Sequence, residues 1–123
     1  MRIALLLLLA LIAGCSGTAP ASKPADPSVG RDALKAALDA WKAGEPPARL
    51  LERSPPIRVA DEDWQAGARL EDYKLGPDER STGSGLALTA TLTIKDKARG
   101  KKKSAVYDVG TDPAITVFRR DAP

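Results

Sequence analysis

The chain contains one cysteine, Cys15, and no histidine. Those two counts remove Ser/His/Asp and Cys/His nucleophile systems, His-ligated zinc, paired-cysteine metal or redox sites and any intramolecular disulfide. Chemistry is left to carboxylates and amines. Asp61, Glu62 and Asp63 cluster just before Trp64. Acids so close together can hold a hard cation or raise one another's pKa for general acid work. No Asx/Gly loop with EF-hand spacing accompanies them, so the expectation is a solvated turn in which Asp61 caps residues 61–66 and Trp64 drops into the core. Glu71 and Asp72 are neighbours on a strand pattern and point to opposite faces unless a bulge intervenes, a poor geometry for an acid pair. No metal and no cofactor is expected.

Lys101, Lys102 and Lys103, with Arg99, form a basic run. It reads as a hairpin tip that is either a solvated guard against strand pairing or a contact for anionic head groups or an acidic partner. Trp41 and Trp64 are the largest side chains of a chain that has only two Trp, two Tyr and one Phe. They are candidates for lining a ligand cavity, although core packing is the heavier demand on so few aromatics. Arg119 and Arg120 read as solvated. The 19 basic residues exceed the 16 acidic ones only slightly, and both signs are interspersed along the 123 residues. A nucleic-acid binder concentrates positive charge on one face, so no nucleic-acid partner is expected.

The elements that must carry these groups begin after an apolar leader. Met1 and Arg2 precede Ile3 to Ala13, a run of Leu, Ile and Ala without a polar group. This pattern is a secretory h-region, too short for a spanning helix, which needs about 20 residues. Ile12, Ala13, Gly14 and Cys15 resemble the bacterial lipobox, an aliphatic and two small residues before the cysteine. The resemblance implies a lipoprotein precursor with signal peptide 1–14, diacylglyceryl transfer to the Cys15 thiol, cleavage between Gly14 and Cys15, and acylation of the new amine with palmitate-like chains. Each buried methylene contributes about 0.8 kcal/mol, so two or three chains hold the protein to membrane lipid permanently. Ser16 is not the Asp that marks inner-membrane retention, and the resemblance points to an outer-membrane protein facing the periplasm. Ser16 to Val29, small, polar and proline-rich, cannot bury enough apolar area to order itself and reads as a disordered tether.

About 90 residues then remain for a single small domain, 30–123. Leu34, Ala37, Leu38 and Trp41 fall on one face of a helix that starts at Gly30 or Asp32 and stops at Gly44, before Pro46 and Pro47. Pro47 to Arg53 makes one or two helical turns, and Ile57 and Val59 form a short edge strand. From Trp64 the apolar period becomes two, with a bulge near Glu71 and Asp72 between Leu70 and Tyr73. Gly76 to Gly85 reads as a breaker-rich loop. Leu86 to Ile94 is the clearest strand, Asp96 to Lys102 a hairpin loop with Gly100 at its turn, and Ala105 to Val109 and Ile115 to Phe118 are the remaining strands.

Residues 37–59, ALDAWKAGEPPARLLERSPPIRV, resemble the opening of NTF2-like domains. There a helix ends in an aromatic and a Lys-Ala-Gly stop and is followed by a short helix and a first strand. The resemblance implies an α+β fold, one amphipathic helix packed on an antiparallel sheet of about four strands, either as a full NTF2-like cone or as the simpler cystatin-like layout. No third helix fits between Val59 and Ala68, and the polar residues that enzymes of this superfamily place in the cone have no counterpart. The expectation is therefore a membrane-anchored, non-catalytic binding or interaction domain in the cell envelope, for an envelope protein or a small ligand. The alternatives are a small carboxylate-dependent enzyme, which needs two acids about 5–10 Å apart in one concave pocket, and a passive envelope scaffold.

Overall fold

The computed structural model describes residues 24–83, 85–96 and 99–120. The h-region, the lipobox from Ile12 to Cys15 and the tether as far as residue 23 lie outside the described residues. Within them, no helix is long and apolar enough to cross a membrane.

The first helix, α1, spans Pro27–Lys42 and starts earlier than the apolar spacing alone predicts. Asp26 accepts from the amides of Ser28 and Val29 at 2.9 and 3.3 Å, and Pro27 occupies a first-turn position where no amide is needed. The last three residues read as tether, Pro27 to Val29, are thus the first turn of the domain. Gly44, with φ of +84°, ends the helix in a Schellman motif: its amide donates to Trp41 O and the Glu45 amide to Ala40 O. The predicted stripe of Leu34, Ala37, Leu38 and Trp41 is buried. Gly30 lets the helix approach the sheet closely, because a Cβ there would sit 2.7 Å from a Leu86 methyl.

A short 3-10 helix at Pro47–Glu52 sends Leu50 into the core, and β1 (Ile57–Ala60), a single helical turn α2 (Glu62–Gln65), β2 (Arg69–Thr82), β3 (Gly85–Asp96), β4 (Arg99–Gly110) and β5 (Ile115–Arg120) follow. The sheet order is β1-β5-β4-β3-β2. The fold is α+β, as expected, but the sheet has five strands rather than about four, and it is mixed. β1 runs parallel to β5, pairing Ile57 with Ile115 and Val59 with Val117. A parallel pair needs a long crossover, and the whole β2–β4 meander supplies it.

One face of the sheet carries Leu70, Leu86, Leu88, Ala90, Leu92, Ala105, Tyr107, Val109 and Val117, all buried. β3 alternates as the sequence predicts, with Thr89 and Thr91 exposed on the other face. The bulge also falls where the pattern places it, the register slipping between Leu70 and Asp72. Residues 76–85, expected as a loop, are strand almost to the turn at Gly83. β2 is an edge strand, which tolerates Pro77, and a second register shift between Leu75 and Glu79 absorbs the breakers. The Arg31 guanidinium of α1 donates to the carbonyls of Gly76 and Pro77, at 3.1 and 3.4 Å, so the bulged backbone is satisfied from the helix. Gly100, expected at a hairpin turn, lies within β4 opposite Lys95.

Candidate functional site

Three features converge where α1 ends, α2 sits and β3 and β4 run out beyond the helix. The first is a buried polar network centred on Asp61, which is 1% exposed. Its residues are brought together by strand alternation. Ala105, Tyr107 and Val109 face the core from β4, and Arg119 follows Val117 by two residues on β5, so it also faces inward. Asp61 Oδ1 accepts from the amides of Asp63 at 3.0 Å and Trp64 at 3.3 Å, capping α2, and from Arg119 Nη1 at 3.1 Å. Its Oδ2 accepts from the Tyr107 hydroxyl at 2.6 Å. The same Arg119 nitrogen donates to Asp63 Oδ2, which also receives Lys103 Nζ at 3.2 Å.

The electrostatics follow from this geometry. Burial, and then the charge and hydrogen bond of Asp61, push the Tyr107 hydroxyl well above the usual tyrosine range, so it is a fixed donor. Burial alone would raise the Asp63 pKa, but hydrogen bonds and charge from Arg119 and Lys103 outweigh it and hold the carboxyl below its ordinary value. Burial likewise works against the Arg119 cation, and the hydrogen bonds and charges of Asp63 and Asp61 more than offset it. The position between the two carboxylates, where a metal ion would have to sit, is taken by a guanidinium. Among the described residues no group of three or more acids or cysteines is arranged to hold a metal ion.

The second feature is the tryptophan pair. Trp41 and Trp64 stack with ring centroids 5.5 Å apart and planes 9° apart. Their indole N–H groups donate to Ala68 O at 2.7 Å and Glu45 O at 2.9 Å. Both are buried, at 2% and 6% exposure, and belong to the core, with their edges bordering a surface cleft between the end of α1 and residues 64–70. The capping role expected of Asp61 and the core position of Trp64 are observed. The solvated character expected of that turn is not, because Tyr107 and Arg119 close over the carboxylate.

The third feature is the lysine run. Lys101, Lys102 and Lys103 are not at a hairpin tip: they are in β4, paired with Ile94, Thr93 and Leu92. By alternation Lys101 and Lys103 continue the face of Ala105 and Tyr107, and Lys102 lies on the opposite face with Gly100. Lys101 and Lys103, with Asp63, Ala68, Ile94 and Lys95, line an open pocket of about 450 Å³. Glu71 and Asp72 stay apart from it. Glu71 approaches Gly100, where an added Cβ would meet its carboxylate at 2.6 Å, and Asp72 pairs with Lys42 at 3.4 Å.

Sequence reasoning missed Arg119 and Tyr107. Arg119 was expected to be solvated, yet its side chain is 6% exposed. The i, i+2 spacing from Val117 was the signal that could have found it. Arg120, on the other face, pairs with Asp108 at the surface. Cys15 and Gly14 lie outside the described residues. No protein-family model, curated protein or solved structure matches the chain.

Proposed function

We propose that the chain is the precursor of a lipid-anchored bacterial envelope protein whose α+β domain, of NTF2-like or cystatin-like layout, is a binding module and not an enzyme. The reading of the anchor rests on Ile3 to Ala13 and on the Ile12-Ala13-Gly14-Cys15 motif. The reading of the domain is carried by one observation: the one carboxylate buried among the described residues, Asp61, is committed to the fold. Asp61 receives four donors, two of them amides of the turn it caps. Asp61 and Asp63 share one Arg119 nitrogen, the closeness a carboxylate enzyme would need, but only Asp63 lines the lysine pocket. A retaining or inverting pair requires both acids to reach one substrate.

Two measurements test the halves of the reading. Cys15→Ala should leave an unprocessed precursor, or one displaced from the membrane fraction, that no longer incorporates labelled palmitate; a variant that still fractionates with membranes at the mature size refutes the anchor. Crosslinking in intact envelopes should capture a specific partner or ligand. A hydrolytic activity of the purified protein that Asp63→Asn abolishes would instead establish the enzyme.

A further inference from the structure

The pocket between the end of α2 and the β3/β4 ribbon combines two properties that rarely meet by accident. Its floor is Ala68 and Ile94, and its rim is Lys95, Lys101 and Lys103 with Asp63. Asp63 is already engaged by Arg119 and Lys103. Among the described residues Lys101 makes no ion pair, and Lys103 shares Asp63 with Arg119, so this face carries one ammonium group in excess; Lys95, opposite Gly100 in the register, projects from the other face. Glu71 leans over Gly100 on the face that Lys95 shares, and Asp72 pairs with Lys42, so neither acid is paired with Lys101. A volume of about 450 Å³ falls within the range of small-molecule sites, roughly 300–1,000 Å³.

We propose that this pocket binds an amphipathic anion, the carboxylate or phosphate head meeting Lys101 beside Lys103 and the apolar part lying on Ala68 and Ile94. The inference rests on the binding-module reading and specifies its ligand class. Lysine suits the role: a compact, flexible ammonium accepts either head group without the fixed fork of arginine. Asp63 is shared between Arg119 and Lys103, which leaves Lys101 for the head group.

The pocket is wired to a reporter. Asp63 precedes Trp64 in α2, and the Ala68 carbonyl accepts the Trp41 indole proton. The test uses the full chain in phosphatidylcholine nanodiscs, with octanoate, octylammonium and inorganic phosphate added in turn and tryptophan emission recorded. Octanoate should give a saturable change that weakens as salt is raised. Octylammonium should not compete. Lys101→Ala, at an exposed position, should weaken octanoate binding at least tenfold with an unchanged urea midpoint, and Lys95→Ala, on the other face, should leave binding as it is. Persistence of the octanoate response when phosphatidylglycerol replaces phosphatidylcholine assigns the site to a free amphiphile; its loss assigns it to a lipid head group. Equal binding of octylammonium, equal affinity for inorganic phosphate, or undiminished binding by Lys101→Ala overturns the proposal. If octanoate fails while crosslinking still captures a protein, the binding module stands and this ligand class falls. An Asp63-dependent hydrolytic activity would remove the module reading itself.

Discussion

Replacing Asp61 with alanine should be the most damaging single change to a polar residue in the domain. The substitution removes the cap of α2, which contributes about 1 kcal/mol. It strips the Tyr107 hydroxyl of its partner in a buried site, a loss of about 1–3 kcal/mol. It also breaks a buried ion pair, a change that costs about 3–5 kcal/mol when the remaining charge has no other partner. Arg119 keeps Asp63, so the last figure applies only in part, and the three overlap. The expected total is about 3–4 kcal/mol. For a domain of this size, with a urea dependence of about 1–1.5 kcal/mol per molar, that moves the unfolding midpoint down by about 2–4 M. Urea titration followed by the emission of the stacked Trp41 and Trp64 reads it directly. Asp63→Ala is the internal control: its side chain is 28% exposed and caps nothing, so about 1 kcal/mol is expected. The pair Asp61→Ala/Tyr107→Phe should be less than additive by about 1 kcal/mol, because the second change removes the orphaned hydroxyl. If Asp61→Ala costs under about 1 kcal/mol, or no more than Asp63→Ala, the network is not what holds α2 against β4 and β5.

Trp41→Ala should destabilise by about 3–5 kcal/mol, since it empties a buried site beneath Ala68 and unstacks Trp64; near-native stability in a urea titration would show that the ring serves the adjoining cleft rather than the core. Stability should also fall with alkali. Tyr107 and Tyr73 both have hydroxyls raised above the ordinary value of 10.0, by burial first and then by Asp61 and Asp39 respectively. The unfolded chain releases these protons near pH 10 while the folded one retains them, so their contribution is intact below that pH and declines above it. Tyr107→Phe should flatten the decline of the urea midpoint above about pH 10; parallel slopes in the two proteins would refute it.

Local pattern carried most of the architecture and little of the network. The α1 stripe, the Gly44 stop, the β2 bulge beside Glu71 and the alternation of β3 all follow from spacing, since each depends on residues a few positions apart. The start of α1 was misplaced because Asp26 and Pro27 resemble the tract before them, and only the cap geometry separates tether from helix. The stretch 76–82 looked like a loop because Gly76 and Pro77 are breakers in general; an edge position and the Arg31 contacts make them tolerable in this strand. The Asp61 site joins residues 46 and 58 positions apart, and nothing near Asp61 in sequence indicates which tyrosine or arginine returns to it. Alternation did hold half the answer, assigning Arg119 to the face of Val117 and Lys101 and Lys103 to the face of Tyr107. What it lacks is the sheet order, and the parallel placement of β1 beside β5 is the fact that brings Asp61 to Arg119.

That placement also sets a timetable. Synthesis delivers a polypeptide amino end first, yet among the described residues the only sheet neighbour of β1 is β5, the last of the five strands to emerge. Until Ile115–Arg120 arrives, Ile57–Ala60 has a bare edge and Asp61 lacks its cation. The domain therefore closes in one late step, first strand onto last, and contacts of such long sequence separation form slowly.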